Sequence, residues 1–85
     1  MKKIIVTVSA DDGSFSKDIE IPLSVSMGLV SKKIIDNLSI LYPEFPFFRK
    51  KWCLMNRRTG MRIAPDHTAE DNGIWNGDII SLSEV

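Results

Sequence analysis

The chain has 85 residues, 44% of them hydrophobic and 26% charged, which suits one small domain with a single core and is too apolar for a disordered segment. A domain of this size buries only roughly 60–65% of its unfolded surface, so few apolar residues are spare. Eleven Lys and Arg balance eleven Asp and Glu, Cys53 is the one cysteine and His67 the one histidine, which together exclude a globally basic nucleic-acid binder, a disulfide framework and a multi-cysteine zinc site, and leave little for histidine catalysis or metal binding.

Lys2 and Lys3 precede a short apolar run that breaks at Ser9 and meets Asp11-Asp12-Gly13. That run is too short for the core of a signal peptide, and no small-residue cleavage site follows. It reads instead as a β-strand at the head of the chain, with Ile4, Val6 and Val8 alternating against Ile5 and Thr7. Gly13 tolerates positive φ and the aspartates bond nearby backbone, so residues 11–14 predict a turn. Residues 15–23 alternate again, with Phe15, Lys17, Ile19, Ile21 and Leu23 on one side and Ser16, Asp18 and Glu20 on the other. The pair predicts a β-hairpin, and Pro22 marks an edge or a strand end.

Val30, Ile34, Leu38 and Leu41, extended backward by Met27, fall at helical spacing. They predict a helix of about fifteen residues, capped by Ser24 or Ser26, weakened at Gly28 and ended before Pro43. Residues 42–48 hold two prolines and four aromatic rings and predict an extended connector. A third strand is expected over 49–56, a turn at Arg57-Arg58-Thr59-Gly60 and a fourth strand over 61–64 closed by Pro65. A loop with a short helical turn is expected over 66–72, with Thr68 as a cap and Gly73 left-handed at its end. Asn76-Gly77 signals a tight turn, and Ile79, Ile80 and Leu82 form a last strand. No window approaches the ~18 apolar residues of a membrane span; the chain is expected to be cytoplasmic.

This ββαββ, short turn, β order resembles the ubiquitin-like β-grasp fold. The fold it implies is α+β, a mixed sheet packed on one helix, with residues 1–85 as a single domain. The most specific stretch is Gly73-Ile74-Trp75-Asn76-Gly77-Asp78 followed by Ile79-Ile80-Ser81-Leu82, which looks like the signature that closes many ubiquitin-like domains. With the Val30 to Asp36 helix run and the roomy hairpin turn, the chain is most similar to the YukD/EsaB family of bacterial type VII secretion loci. Similar domains occur in the membrane component EccD of related systems. The family resemblance implies a non-catalytic adaptor or regulator that docks on a cytosolic domain of the machinery, with no cofactor and no membrane insertion. Two alternatives stay open: a ubiquitin-like modifier or carrier, and a small subunit of a larger enzyme complex. Against conjugation, the sequence closes on Ser81-Leu82-Ser83-Glu84-Val85 with no Gly-Gly tail.

Charge is unevenly spread. Residues 45–65 carry six bases and no acid, and residues 66–85 five acids and no base. Arg49, Lys51, Arg57, Arg58 and Arg62, on the third and fourth strands of such a fold, either meet an acidic protein partner or pair with the acidic C-terminal segment. Nucleic acid is not expected as a partner. Trp75 is expected to be partly exposed, either as a docking residue or as a cover for the sheet end or the connector. Trp52 reads as core. Tyr42, Phe45, Phe47 and Phe48 are expected to fold over an edge of the core rather than form a docking ridge. Cys53 reads as a buried structural thiol and Asp66-His67 as a turn; there is no Gly-rich phosphate loop and no metal-ligand pattern.

Overall fold

The structure, a computed structural model, describes residues 2–47 and 51–84. The alternation at the head of the chain forms β1 (Lys3–Ala10), which turns at residues 11–14 into β2 (Ser16–Pro22). The two pair antiparallel, Val6 opposite Ile19 and Val8 opposite Lys17. Gly13 takes φ 77° at the turn, and the Ser14 amide donates to Asp12 Oδ1 at 2.9 Å. Phe15 lies just before β2 and is buried, while Lys17 is exposed although it shares the side of Ile19 and Ile21.

The helix α1 (Met27–Leu41) buries Met27, Val30, Ile34 and Leu38. Leu41, expected to complete this stripe, is 53% exposed. It lies in the last turn, where Tyr42 and Phe45 pack against the core instead. The expected serine side-chain cap is also replaced. Ser26 is the N-cap residue but makes no side-chain capping bond; the Met27 and Gly28 amides donate to the carbonyls of His67 and Pro65 at 2.8 and 2.9 Å. This contact explains Gly28, since a Cβ there would stand 3.2 Å from the Pro65 carbonyl oxygen. The helix stops where Tyr42 leaves helical geometry ahead of Pro43.

Residues 42–47 turn back over the core. Phe15 stacks on Tyr42 at 5.2 Å between ring centroids and meets Phe45 edge to face at 5.0 Å; Phe45 also reaches Trp52 at 5.3 Å. The rings therefore cover the core edge, as their composition predicts, with Phe48 outside the described residues. Trp52 is half-buried and packs against the core, as expected, its indole N–H donating to the Phe47 carbonyl at 2.9 Å.

The remaining strands are β3 (Trp52–Asn56), β4 (Met61–Arg62) and β5 (Ile79–Glu84). Of the third strand expected over 49–56, Arg49 and Lys50 lie outside the described residues. β4 is two residues rather than four. Ala64 has both backbone groups taken by one side chain: its amide donates to Asn72 Oδ1 at 2.8 Å, and Asn72 Nδ2 donates to its carbonyl at 3.1 Å. Beyond β4 the Ile63 amide still donates to the Leu54 carbonyl at 2.8 Å, so Ala64, the next residue, turns its backbone groups away from β3 and onto Asn72. Residues 66–72 form a loop with the expected single helical turn: the Asn72 amide donates to the Thr68 carbonyl at 3.0 Å, Thr68 Oγ1 accepts the Asp71 amide at 3.1 Å, and Gly73 takes φ 66°. Ala69 and Ile74 from this loop are buried.

The sheet order is β2-β1-β5-β3-β4, with β5 parallel to β1 and antiparallel to β3. First and last strands thus lie side by side at the centre, and the helix covers one face. Val6, Val8, Ala10, Ile21, Leu54, Ile80 and Leu82 point into that layer and are buried with the α1 stripe. Among the described residues, no helix is long and apolar enough to cross a membrane.

Candidate functional site

The face of the sheet away from α1 follows from the strand phase. In β1, Val6, Val8 and Ala10 turn inward, so Ile5, Thr7 and Ser9 turn outward. The register carries this across the sheet. Thr7 lies beside Ile79, and the Arg57 amide donates to the Ile79 carbonyl at 2.9 Å. Ser9 lies beside Ser81, Ser81 beside Met55, and Met55 beside Arg62. The outer face is therefore a shallow apolar centre with a charged border. Ile5 is 49% and Ile79 43% exposed, and Met55 is half-buried between them and Arg62.

The border is polar in opposite senses at its two ends. On the β2 side, Asp18 Oδ1 accepts the Thr7 hydroxyl at 2.7 Å and Glu20 faces Lys3 at 3.5 Å. On the β3–β4 side stand Arg57 and Arg62, both exposed. Among the described residues neither enters an ion pair, and the same holds for exposed Lys51. Arg49 lies outside the described residues.

Arg58 is different. Asn56 bonds the Arg58 amide through its side-chain oxygen at 3.0 Å, and Gly60, at φ 71°, bonds the Asn56 carbonyl at 2.8 Å. This turn sends Arg57 onto the outer face and Arg58 toward the loop before β5. There Arg58 Nε donates to Asp78 Oδ1 at 2.9 Å and Nη2 to the Gly73 carbonyl at 2.6 Å. Asp78 also accepts the Trp75 amide at 2.8 Å and Asn56 Nδ2 at 3.0 Å. The Arg58 hydrogen bonds, opposed by burial and joined by the Trp75 amide, hold the Asp78 carboxyl down at about 2. The two expectations for the basic cluster therefore divide by residue. Arg58 pairs with the acidic C-terminal segment, while Arg57 and Arg62 remain open to an outside partner.

Trp75 is 63% exposed, and its ring underlies the Arg58 guanidinium, 3.6 Å from ring centroid to carbon. One face of the indole is committed to a cation–π contact. Cys53, expected to be a buried thiol, is half-buried on the outer face, beside Ser83. Asp66 and His67 are exposed turn residues. Among the described residues, no three His, Cys, Asp or Glu side chains converge as a metal set would.

The apolar residues Ile5, Met55 and Ile79 escape sequence reasoning. Ile4-Ile5-Val6 and Ile79-Ile80 are runs of equivalent residues, and only the pairing phase says which of them turn outward. The one signal in sequence was Thr7, whose place between Val6 and Val8 sets Ile5 on its own side of the strand.

No protein-family model and no curated protein sequence matches the chain. Solved structures do. The ubiquitin-like domain of the Mycobacterium tuberculosis type VII secretion system protein ECCD1 is similar with a TM-score of 0.77 at 20% identity, over 96% of this chain and 98% of that one. The EccD5 ubiquitin-like domain from Mycobacterium xenopi gives 0.80 at 13% identity, over 100% and 97%. A ubiquitin-like domain of an Arabidopsis thaliana protein gives 0.67 at 21% identity, over 99% and 79%. The fold is the ubiquitin-like β-grasp that the closing motif resembles.

Proposed function

We propose that this chain is a non-catalytic docking module of a type VII secretion-type system, an adaptor or regulator that binds a cytosolic domain of the machinery. The observation that carries the reading is the outer sheet face: exposed Ile5 and Ile79 beside Met55, bordered on one side by Arg57 and Arg62. An apolar centre with a charged border is the anatomy of a protein interface. The basic side selects a partner surface carrying Asp and Glu and speeds its encounter. The setting in secretion is supported by the likeness to the ECCD1 and EccD5 domains and by the resemblance to the YukD/EsaB family. In this reading the chain needs no cofactor, works in the cytoplasm and does not bind nucleic acid.

The test is retention of cytosolic domains of the secretion machinery on the immobilised chain. Arg57→Glu with Arg62→Glu, and separately Ile79→Ser, should each weaken retention about tenfold or more, while circular dichroism shows the fold intact. Undiminished retention by folded variants would remove this face from the proposal.

A further inference from the structure

A second surface lies at the other end of the sheet. β2 is an edge strand seven residues long, whereas the opposite edge, β4, has only two. The phase of its free backbone groups can be read from the bonds that bracket it. The Leu23 amide donates to the Lys2 carbonyl and the Ala10 amide to the Phe15 carbonyl. In an antiparallel pair such bonded positions recur at every second residue. Lys17, Ile19 and Ile21 therefore turn their backbone groups to β1, and Ser16, Asp18 and Glu20 turn theirs to the open edge. Pro22, which has no N–H, falls on the open side, where its missing donor costs the sheet nothing.

Beside this edge, between β2 and α1, runs a cleft of about 330 Å³. Its walls are apolar: Ile19 and Ile21 from the strand, Val25 before the helix, and Leu29, 60% exposed, from the first helical turns. Lys32 and Lys33 stand at its helical side. Both are exposed and, among the described residues, in no ion pair. Lys17 lies further along the same side of β2 as Ile19 and Ile21. The one acid lining the cleft, Glu20, alternates to the opposite side of the strand and faces Lys3.

Unpaired strand backbone, an apolar cleft on one side of it and three lysines define one kind of occupant. We propose that the β2 edge docks an extended acidic peptide segment of a partner protein, added to the sheet as a further strand. Every second side chain of that segment is a branched aliphatic set into the cleft, and its flanking carboxylates face Lys17, Lys32 and Lys33. Main-chain bonds to Ser16, Asp18 and Glu20 supply affinity, while the cleft and the lysines fix register and direction. Pro22 ends the usable edge and, with the charged side chains along the strand, discourages indiscriminate pairing. This surface lies apart from the outer sheet face, so its success or failure leaves that reading standing.

The probe is a synthetic peptide, Glu-Val-Thr-Ile-Thr-Val-Asp-Glu, titrated into the isotope-labelled full chain and followed by amide chemical shifts. Shifts confined to residues 16–22 and 25–37 are expected. Replacing the threonine that follows the isoleucine of the peptide by proline, which blocks main-chain pairing without touching the protein, should weaken binding about tenfold. Lys32→Glu with Lys33→Glu should weaken it about fivefold or more, and Leu29→Glu should do likewise in a folded protein. Several results would overturn the proposal: no shifts at about 1 mM peptide, shifts centred on Ile5 and Ile79, or equal binding of the proline peptide. Concentration-dependent dimerisation through residues 16–22 without peptide would overturn it too, by making a second copy the occupant.

Discussion

The guanidinium of Arg58 is held between the Trp75 ring, 3.6 Å from its centroid, and the carboxylate of Asp78, 2.9 Å from Nε. Three distant pieces of chain meet there: the β3–β4 turn, the Gly73-Ile74 loop and the start of β5. Asp78 is only 6% exposed, so its charge depends on this arginine and on the Asn56 and Trp75 donors. A residue that by composition belongs to a basic docking patch is thus a clasp for the last strand.

Arg58→Ala is expected to destabilise the domain by about 1–3 kcal/mol, because it leaves a nearly buried carboxylate short of a partner. Arg58→Lys should recover only part of this, since an ammonium offers neither the planar fork nor the flat face over the indole. Arg57→Ala, one residue away on the outer face, should stay within about 0.5 kcal/mol of the parent. Urea denaturation of the three variants checks the contrast. Charge reversal should likewise destabilise the domain at Arg58 and spare it at Arg57.

The depressed Asp78 carboxyl gives a pH dependence with a fixed sign. Its folded value, about 2, lies below the ordinary 3.8, so the unfolded chain binds the proton more readily. The stabilisation is complete above about pH 4 and is lost as pH falls toward 2. It amounts to on the order of 1–2 kcal/mol, reduced by solvent around the part-exposed Arg58. Asp12 is also lowered, by its bonds to Ser14. Comparing acid unfolding of the parent with that of Asp78→Asn isolates the Asp78 share: the variant should start less stable and show a shallower slope over this window.

Gly77 has φ 88° with nothing within 4 Å of where a Cβ would be. Its amide donates to the Ile5 carbonyl at 2.7 Å, and the Asp78 carbonyl accepts the Thr7 amide at 2.9 Å. The glycine is required by backbone conformation, not by space. Gly77→Val should cost about 2 kcal/mol or more and Gly77→Asn clearly less. Equal melting temperatures for the two would refute that cause.

Leu38 and Leu41 separate the helical stripe from its apparent extension. Leu38 is 0% exposed and Leu41 53%. Leu38→Ala should cost about 2–5 kcal/mol, and Leu41→Ala under about 1 kcal/mol, by chemical denaturation.

The hairpin, the fifteen-residue helix, the turns at Gly60 and Gly77 and the last strand are set by short-range physics. Period-two and period-3.6 burial, the proline ban on helical continuation and the steric freedom of glycine at positive φ act within a few residues, so the sequence by itself determined these elements, and their order led to the β-grasp. It could not determine the ends that distant groups control. Asn72 holds both backbone groups of Ala64 just past β4, and the Pro65 and His67 carbonyls cap α1 where a serine was expected. The make-up of the outer sheet face was hidden for the same reason. Ile79 and Ile80 are chemically alike, and Arg57 and Arg58 are identical. Only the pairing of β5 with β1 and β3, and the arrival of Asp78 beside the turn, decide which of each pair faces outward and which is held within the fold.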